Sequence, residues 1–171
     1  MDGGHPDASD GTGSTSRWRR WLLWSVGALA ALAVAVQLVP YGWWHENPPV
    51  LQAAPWPDAA SEAIARESCY ACHSNETDWP AYSYVAPMSW LVRYDVEAGR
   101  DELNFSDWAR FADEADDAAE AVLDGEMPLG RYTVVHGDAR LTDAEREVLV
   151  TALAQMAGEA EGEGGGRRGR G

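Results

Sequence analysis

The sequence has no lysine. All 13 of its basic side chains are arginine, set against 28 acids, for a net charge of -15. Residues 1–40 balance three acids (Asp2, Asp7, Asp10) against three arginines (Arg17, Arg19, Arg20), so the remaining 25 acids and 10 arginines carry the whole deficit. A surface of that sign repels phosphate, which counts against a nucleic-acid partner. It suits a basic partner, or a salty surrounding that screens self-repulsion, and solubility alone would also select it. Cysteine is almost as scarce, with Cys69 and Cys72 the only two. Two cysteines cannot build a multi-bridge framework or a four-cysteine zinc site. No convincing strand pair and no internal repeat can be read, and 171 residues are too few for two ordinary domains.

What the chain does have is one long apolar run. From Trp21 to Val39 no residue is charged, and about 20 residues at 1.5 Å each cross a bilayer core. Arg17, Arg19 and Arg20 flank its start, while Trp21 and Trp24 at one end and Tyr41, Trp43 and Trp44 at the other match interfacial aromatic belts. The expectation is a single-pass cell-membrane anchor over residues 17–44, with a cytoplasmic N-terminus and a periplasmic or otherwise extracytoplasmic domain. A cleaved signal peptide is the rival reading, since Ala31-Leu32-Ala33 and Ala33-Val34-Ala35 resemble cleavage sites. Residues 1–16 are expected to be disordered. Residues 45–57, with four prolines, read as an extended linker that lets the domain swing, and 158–171 as a low-complexity disordered tail.

Residues 58–157 then form one small all-α domain. A short helix runs from Asp58 to Arg66. A second spans Pro87 to Ala98 and stops at Gly99. A third, Asp107 to Leu123, is capped by Ser106 and ended by Gly125. The last opens on the capping box Thr142-Asp143-Ala144-Glu145, and its Val148, Leu149, Ala152, Leu153 and Met156 recur at helical spacing.

The chemistry lies in Ser68-Cys69-Tyr70-Ala71-Cys72-His73-Ser74. Cys-x-x-Cys-His is the attachment signature of c-type haem. Thiols at i and i+3 lie on nearby helical turns, each within reach of one haem vinyl group, and His73 is held over one face where its imidazole can bind iron. A covalently held haem also adds apolar core to a small domain. Two other readings stand beside this one: a disulfide or thiol redox pair, although the βαβ context of a thioredoxin-like motif is missing, and part of a metal site. The residues that could ligate the other face are Met88, Met127, His136 and Met156. Met156 reads as core of the last helix and Met88 as packing. Met127, in Gly125-Glu126-Met127-Pro128, stands on a loop that Pro128 stiffens, and is preferred over its competitor His136. Arg93, Arg131, Tyr132 and Trp90 could donate to haem propionates, or be solvated and core residues. The turn at Trp79-Pro80 could supply a carbonyl to the second nitrogen of His73.

The order Cys-x-x-Cys-His, Met-Pro loop, capped C-terminal helix resembles small bacterial class I c-type cytochromes. More narrowly, SCYACHSNETDWPAYSYVAPMSW, GRDELNFSDW and GEMPLGRYTVVHGDARLTDAE resemble the bacterial haem-binding domain family, over about Ala59 to Ala157. The resemblance implies a cytochrome c-like fold around one haem c attached at Cys69 and Cys72. It also implies His73 as proximal iron ligand and Met127 at the Met-Pro position. Where the family often has a second proline after Met-Pro, this chain has Leu129. The expected function is single-electron transfer through a His/Met-ligated iron, by a membrane-anchored carrier with no catalytic set. Its redox partners are expected to present a basic docking patch. The alternatives are a five-coordinate or labile-ligand haem sensor and a haem-free thiol–disulfide module.

Overall fold

A computed structural model describes the backbone of residues 13–168 and the side chains of 17–160. Most of the expected disordered segment 1–16, and the last residues of the expected tail, lie outside the described residues. The chain divides into two units after Pro40. The first holds helix α1 (Gly13–Gln37), which already begins ahead of Arg17. Within it the 21 residues Arg17–Gln37 are long and apolar enough to cross a membrane, a length of about 31 Å at the α-helical rise.

In the second unit, among the described residues, the regular elements are all helices, apart from an isolated bridge between Gln52 and Asp107. Helix α2 (Ala59–Ser68) is started by Asp58, whose carboxylate accepts from the backbone N–H of Ala60 at 2.8 Å and Ser61 at 2.9 Å. The single turn α3 (Tyr70–His73) follows at once. Helix α4 (Met88–Glu102) comes after a 3₁₀ turn at Ala81–Tyr84. The expected third helix is broken into α5 (Trp108–Phe111), a 3₁₀ turn and α6 (Ala115–Leu123). Ser106 does not cap it: its hydroxyl accepts from the N–H of Asn75 instead, at 3.0 Å. The segment expected as a plain loop after Met127 contains a further helix, α7 (Gly130–Val135). Helix α8 (Asp143–Arg168) opens on the expected capping box, with Glu145 accepting from the Thr142 N–H at 2.8 Å and Thr142 Oγ1 accepting from the Glu145 N–H at 3.3 Å. It continues past Ala157, the expected end. Among the described side chains its last buried one is Ala157, and the helix runs on through the exposed Gly158 and Glu159 and the part-buried Ala160.

α6 and α2 both pack on α8, and the core between them holds Leu149, Leu153, Met156 and Val122. Burying each large aliphatic side chain contributes about 1.5–3 kcal/mol. Phe105 anchors the aromatic half of this core: its ring lies 5.3 Å from Tyr70 and 5.1 Å from Trp56.

Residues 45–57 are extended, as four prolines dictate, but they are not a free linker. They are strapped to the domain. Leu51 and Gln52 donate to the Ser106 carbonyl, Ala54 donates to Phe105, and Trp108 donates back to Gln52. Asn75 holds the Pro49 carbonyl at 2.9 Å, and Arg93 and Arg100 hold those of Trp44 and Glu46. An extended segment leaves its N–H and C=O groups unpaired within itself, and here the domain pairs them.

Candidate functional site

The site grows from the joint between α2 and α3. Cys69 closes α2 by donating its N–H to Ala65 O at 2.8 Å, and its own carbonyl accepts from Cys72 and His73 at 3.1 and 2.9 Å. That turn sets the two side chains one helical turn apart. Both are free thiols. Burial pushes Cys69 up to about 12, with Cys72 adding to it, and burial first and Asp95 second push Cys72 up to about 11. Neither is the depressed thiol that a redox Cys-x-x-Cys needs.

α4 crosses directly over this turn at Gly99. A Cβ there would lie 2.8 Å from the Cys72 carbonyl oxygen and 2.9 Å from its Cβ, so only glycine permits the approach. Gly99 is therefore a buried packing position inside α4, not the helix stop read from the sequence; the helix ends three residues later, at Glu102.

His73 Nδ1 lies 3.1 Å from the carbonyl of Leu103, just beyond α4. A carbonyl only accepts, so Nδ1 carries the proton and the neutral ring keeps its lone pair on Nε2. This partner replaces the expected Trp79-Pro80 turn. Burial pulls the His73 pKa down, against the hydrogen bonds to Leu103 and Gly99, and so favours the neutral imidazole. A buried polar lattice fixes the segment that follows Leu103 against the histidine. Phe105 N–H donates to His73 O at 2.8 Å, and Asn104 Nδ2 donates to Asn75 Oδ1 at 2.9 Å. Arg100 adds a clamp: its guanidinium donates to Ser74 O at 2.7 Å, Thr77 Oγ1 at 2.9 Å and Asn47 Oδ1 at 2.9 Å. Sequence reasoning missed Leu103, because every residue carries a carbonyl. It missed Arg100, because nothing local distinguishes it from a solvated arginine.

Met127 is placed by the end of α6. Gly125 takes φ +76°, and the reversal lets the N–H groups of Glu126 and Met127 share the Ala121 carbonyl at 2.9 and 3.1 Å. Arg146 satisfies the neighbouring Val122 carbonyl at 3.1 Å. Two clefts, of ≈ 250 Å³ and ≈ 260 Å³, meet here, and Cys69, His73, Met127 and Pro128 line both. Together they fall in the range of roughly 300–1,000 Å³ common for cofactor sites. Cys72 lines the first with Ala98 and Leu129.

The other expected residues separate cleanly. Arg131, paired with Asp95 at 2.7 Å, and Tyr132, whose phenol burial pushes up to about 12, line the first cleft. Arg93 instead pairs with Glu97 at 2.7 Å, and neither it nor Trp90 lines either cleft. His136 lies outside both, stacked on Tyr132 at 4.4 Å and hydrogen-bonded to the Tyr82 hydroxyl. Met156 is in the core and Met88 is exposed at the start of α4.

The donor set fits a haem: an imidazole with its unprotonated nitrogen fixed by a second-nitrogen bond, two thiols one turn apart, and a thioether lining the same apolar cleft. An all-helical domain built this way around a Cys-x-x-Cys-His turn defines the class of haem-binding proteins. The family described as "Haem-binding domain" matches residues 31–155, and the chain belongs to that family. The match takes in the strap as well as the helices. The chain is also 29% identical over 134 residues to the protein named cytochrome c peroxidase Ccp of Escherichia coli (strain K12). That alignment covers 70% of this chain and 29% of the other, so the chain spans under a third of that relative's length. No solved structure gives a significant match.

Proposed function

We propose that the protein is a membrane-anchored monohaem c-type cytochrome that transfers single electrons. The observation that carries this is the convergence of Cys69, His73 and Met127 on one cleft, with Cys72 a turn away. Cys69 and Cys72 would hold the haem through thioether bonds to its vinyl groups. His73 Nε2 and the Met127 sulfur would be the protein's two ligands to the haem iron. Haem, when bound, supplies an iron that alternates between ferric and ferrous states, and a methionine ligand favours the ferrous one. Arg131 and Tyr132, which line the first cleft, would be the donors to its propionates. The Leu103 carbonyl, the Asn75–Asn104 pair and the Arg100 clamp keep His73 still while the charge changes. Helix α1 anchors the chain, with its arginine-flanked end in the cytoplasm.

The test is to express the full chain with haem-attachment machinery and take a pyridine haemochrome spectrum after denaturation. Covalent haem is expected, together with a low-spin ferric spectrum carrying the weak methionine–iron band. Met127→Ala should remove that band and lower the reduction potential. A wild-type protein without covalent haem would overturn the reading.

A second reading is favoured by the similarity to a protein named as a peroxidase: the domain serves peroxide chemistry, with Met127 yielding its place to the substrate. It predicts a high-spin ferric protein and peroxide-dependent oxidation of a dye, and an inert, low-spin wild type would exclude it.

A further inference from the structure

We infer that one end of the domain rests on the lipid surface of the membrane that α1 crosses. The inference depends on α1 being an anchor, and is independent of how the iron is ligated. Large apolar side chains are exposed at the start of α4 and in the 3₁₀ turn before it: Tyr84 at 62%, Val85 at 53%, with Met88, Leu91 and Tyr94 along the helix. The segment Tyr41–His45 is fastened across the same elements. Gly42 abuts Ser89 so closely that a Cβ would lie 2.6 Å from its carbonyl oxygen. Arg93 holds Trp44 O at 3.0 Å, and His45 stacks on Tyr84 at 3.9 Å. This fixes the exposed Trp44 at the same end.

Charge marks this end out from the rest of the domain. From Trp79 to Tyr94 there is no acid and one arginine, the longest acid-free stretch after Glu46 in a chain that carries 25 acids beyond Pro40. The acid nearest this end, Glu97, is paired with Arg93 at 2.7 Å and accepts from the Tyr41 hydroxyl at 3.0 Å, so anionic headgroups meet less unpaired negative charge here than on the rest of the surface. Tryptophan and tyrosine are also the residues that settle at a bilayer interface. The covalent connection brings the face to the lipid: only Leu38, Val39 and Pro40 stand between Gln37 and Tyr41, a span of at most about 14 Å fully extended. A protein partner would have to displace a surface that the tether already holds close. Because Tyr94 also lines the first cleft, the docked face ends at the rim of that cleft, which would suit electron exchange between a haem held there and a molecule in or on the bilayer.

The full-length holoprotein, reconstituted in phosphatidylethanolamine–phosphatidylglycerol vesicles and separately in detergent micelles, can be footprinted with hydroxyl radicals. Labelling of Trp44, Tyr84 and Met88 should fall about threefold or more in vesicles, since interfacial side chains lose most of their water contact. Leu123 and Val134 should label equally in both. A Tyr84→Glu/Leu91→Glu variant that still floats with the vesicles should regain labelling at Trp44 and Met88. Equal labelling of the wild type in vesicles and micelles, in a chain that floats, would overturn the inference. So would protection that fades on dilution into excess lipid, which would place a second copy on the face. A chain that fails to float removes the anchor reading and this inference with it.

Discussion

Gly99 is the residue on which the geometry of the Cys-x-x-Cys-His turn most directly depends. Its missing side chain lets α4 lie against the Cys72 carbonyl, and through Leu103 the same helix delivers the carbonyl that orients His73. Gly99→Ala inserts a methyl 2.8 Å from a backbone oxygen, a contact no rotamer can relieve. The expected cost is about 1–3 kcal/mol, read as a lower urea midpoint with a reduced yield of attached haem. Gly130, with nothing within 4 Å of its would-be Cβ, is the control; Gly130→Ala should leave the midpoint unchanged or raise it. The two cysteines, His73 and Met127 could be named from the sequence because their chemistry is carried by residue type and spacing. The roles of Gly99 and Leu103 could not, because both arise from what α4 meets in space.

At the scale of elements, the strap and the helix caps make separate predictions. Arg100 ties Ser74, Thr77, Asn47 and Glu46 together from a half-buried position. Arg100→Gln should cost about 2 kcal/mol, the scale of hydrogen bonds to a charged group. It should also make the chain around 46–50 cleave faster under limited proteolysis, and an unchanged cleavage rate would mean that the strap is held without it. The caps predict a pH dependence. The Ser61 N–H, with that of Ala60, holds the Asp58 carboxyl below its ordinary value, and the Thr142 N–H does the same for Glu145. Carboxyls depressed in the folded state stabilise above their unfolded pKa, and that stability is lost as pH falls through the folded values. The urea midpoint should therefore drop between about pH 5 and about pH 2. The slope should be flatter in an Asp58→Ala/Glu145→Ala variant.

For the whole molecule, charge sets how partners meet. The acidic surface should draw in a basic redox partner, so the second-order rate of electron exchange with a strongly basic haem protein should fall severalfold from low to physiological ionic strength. A salt-independent rate would remove the surface from the encounter. The anchor-length run, the helical class, the capping box at Thr142 and the Cys-x-x-Cys-His motif were all legible in the sequence. Each is encoded within a few neighbouring residues, by period, capping chemistry or ligand spacing. The docking of the proline-rich strap, the carbonyl that orients His73 and the exclusion of His136 from the cleft appeared only in the folded chain. These depend on contacts between residues 30 to more than 50 positions apart, and local sequence carries no record of which distant backbone group will arrive to pair.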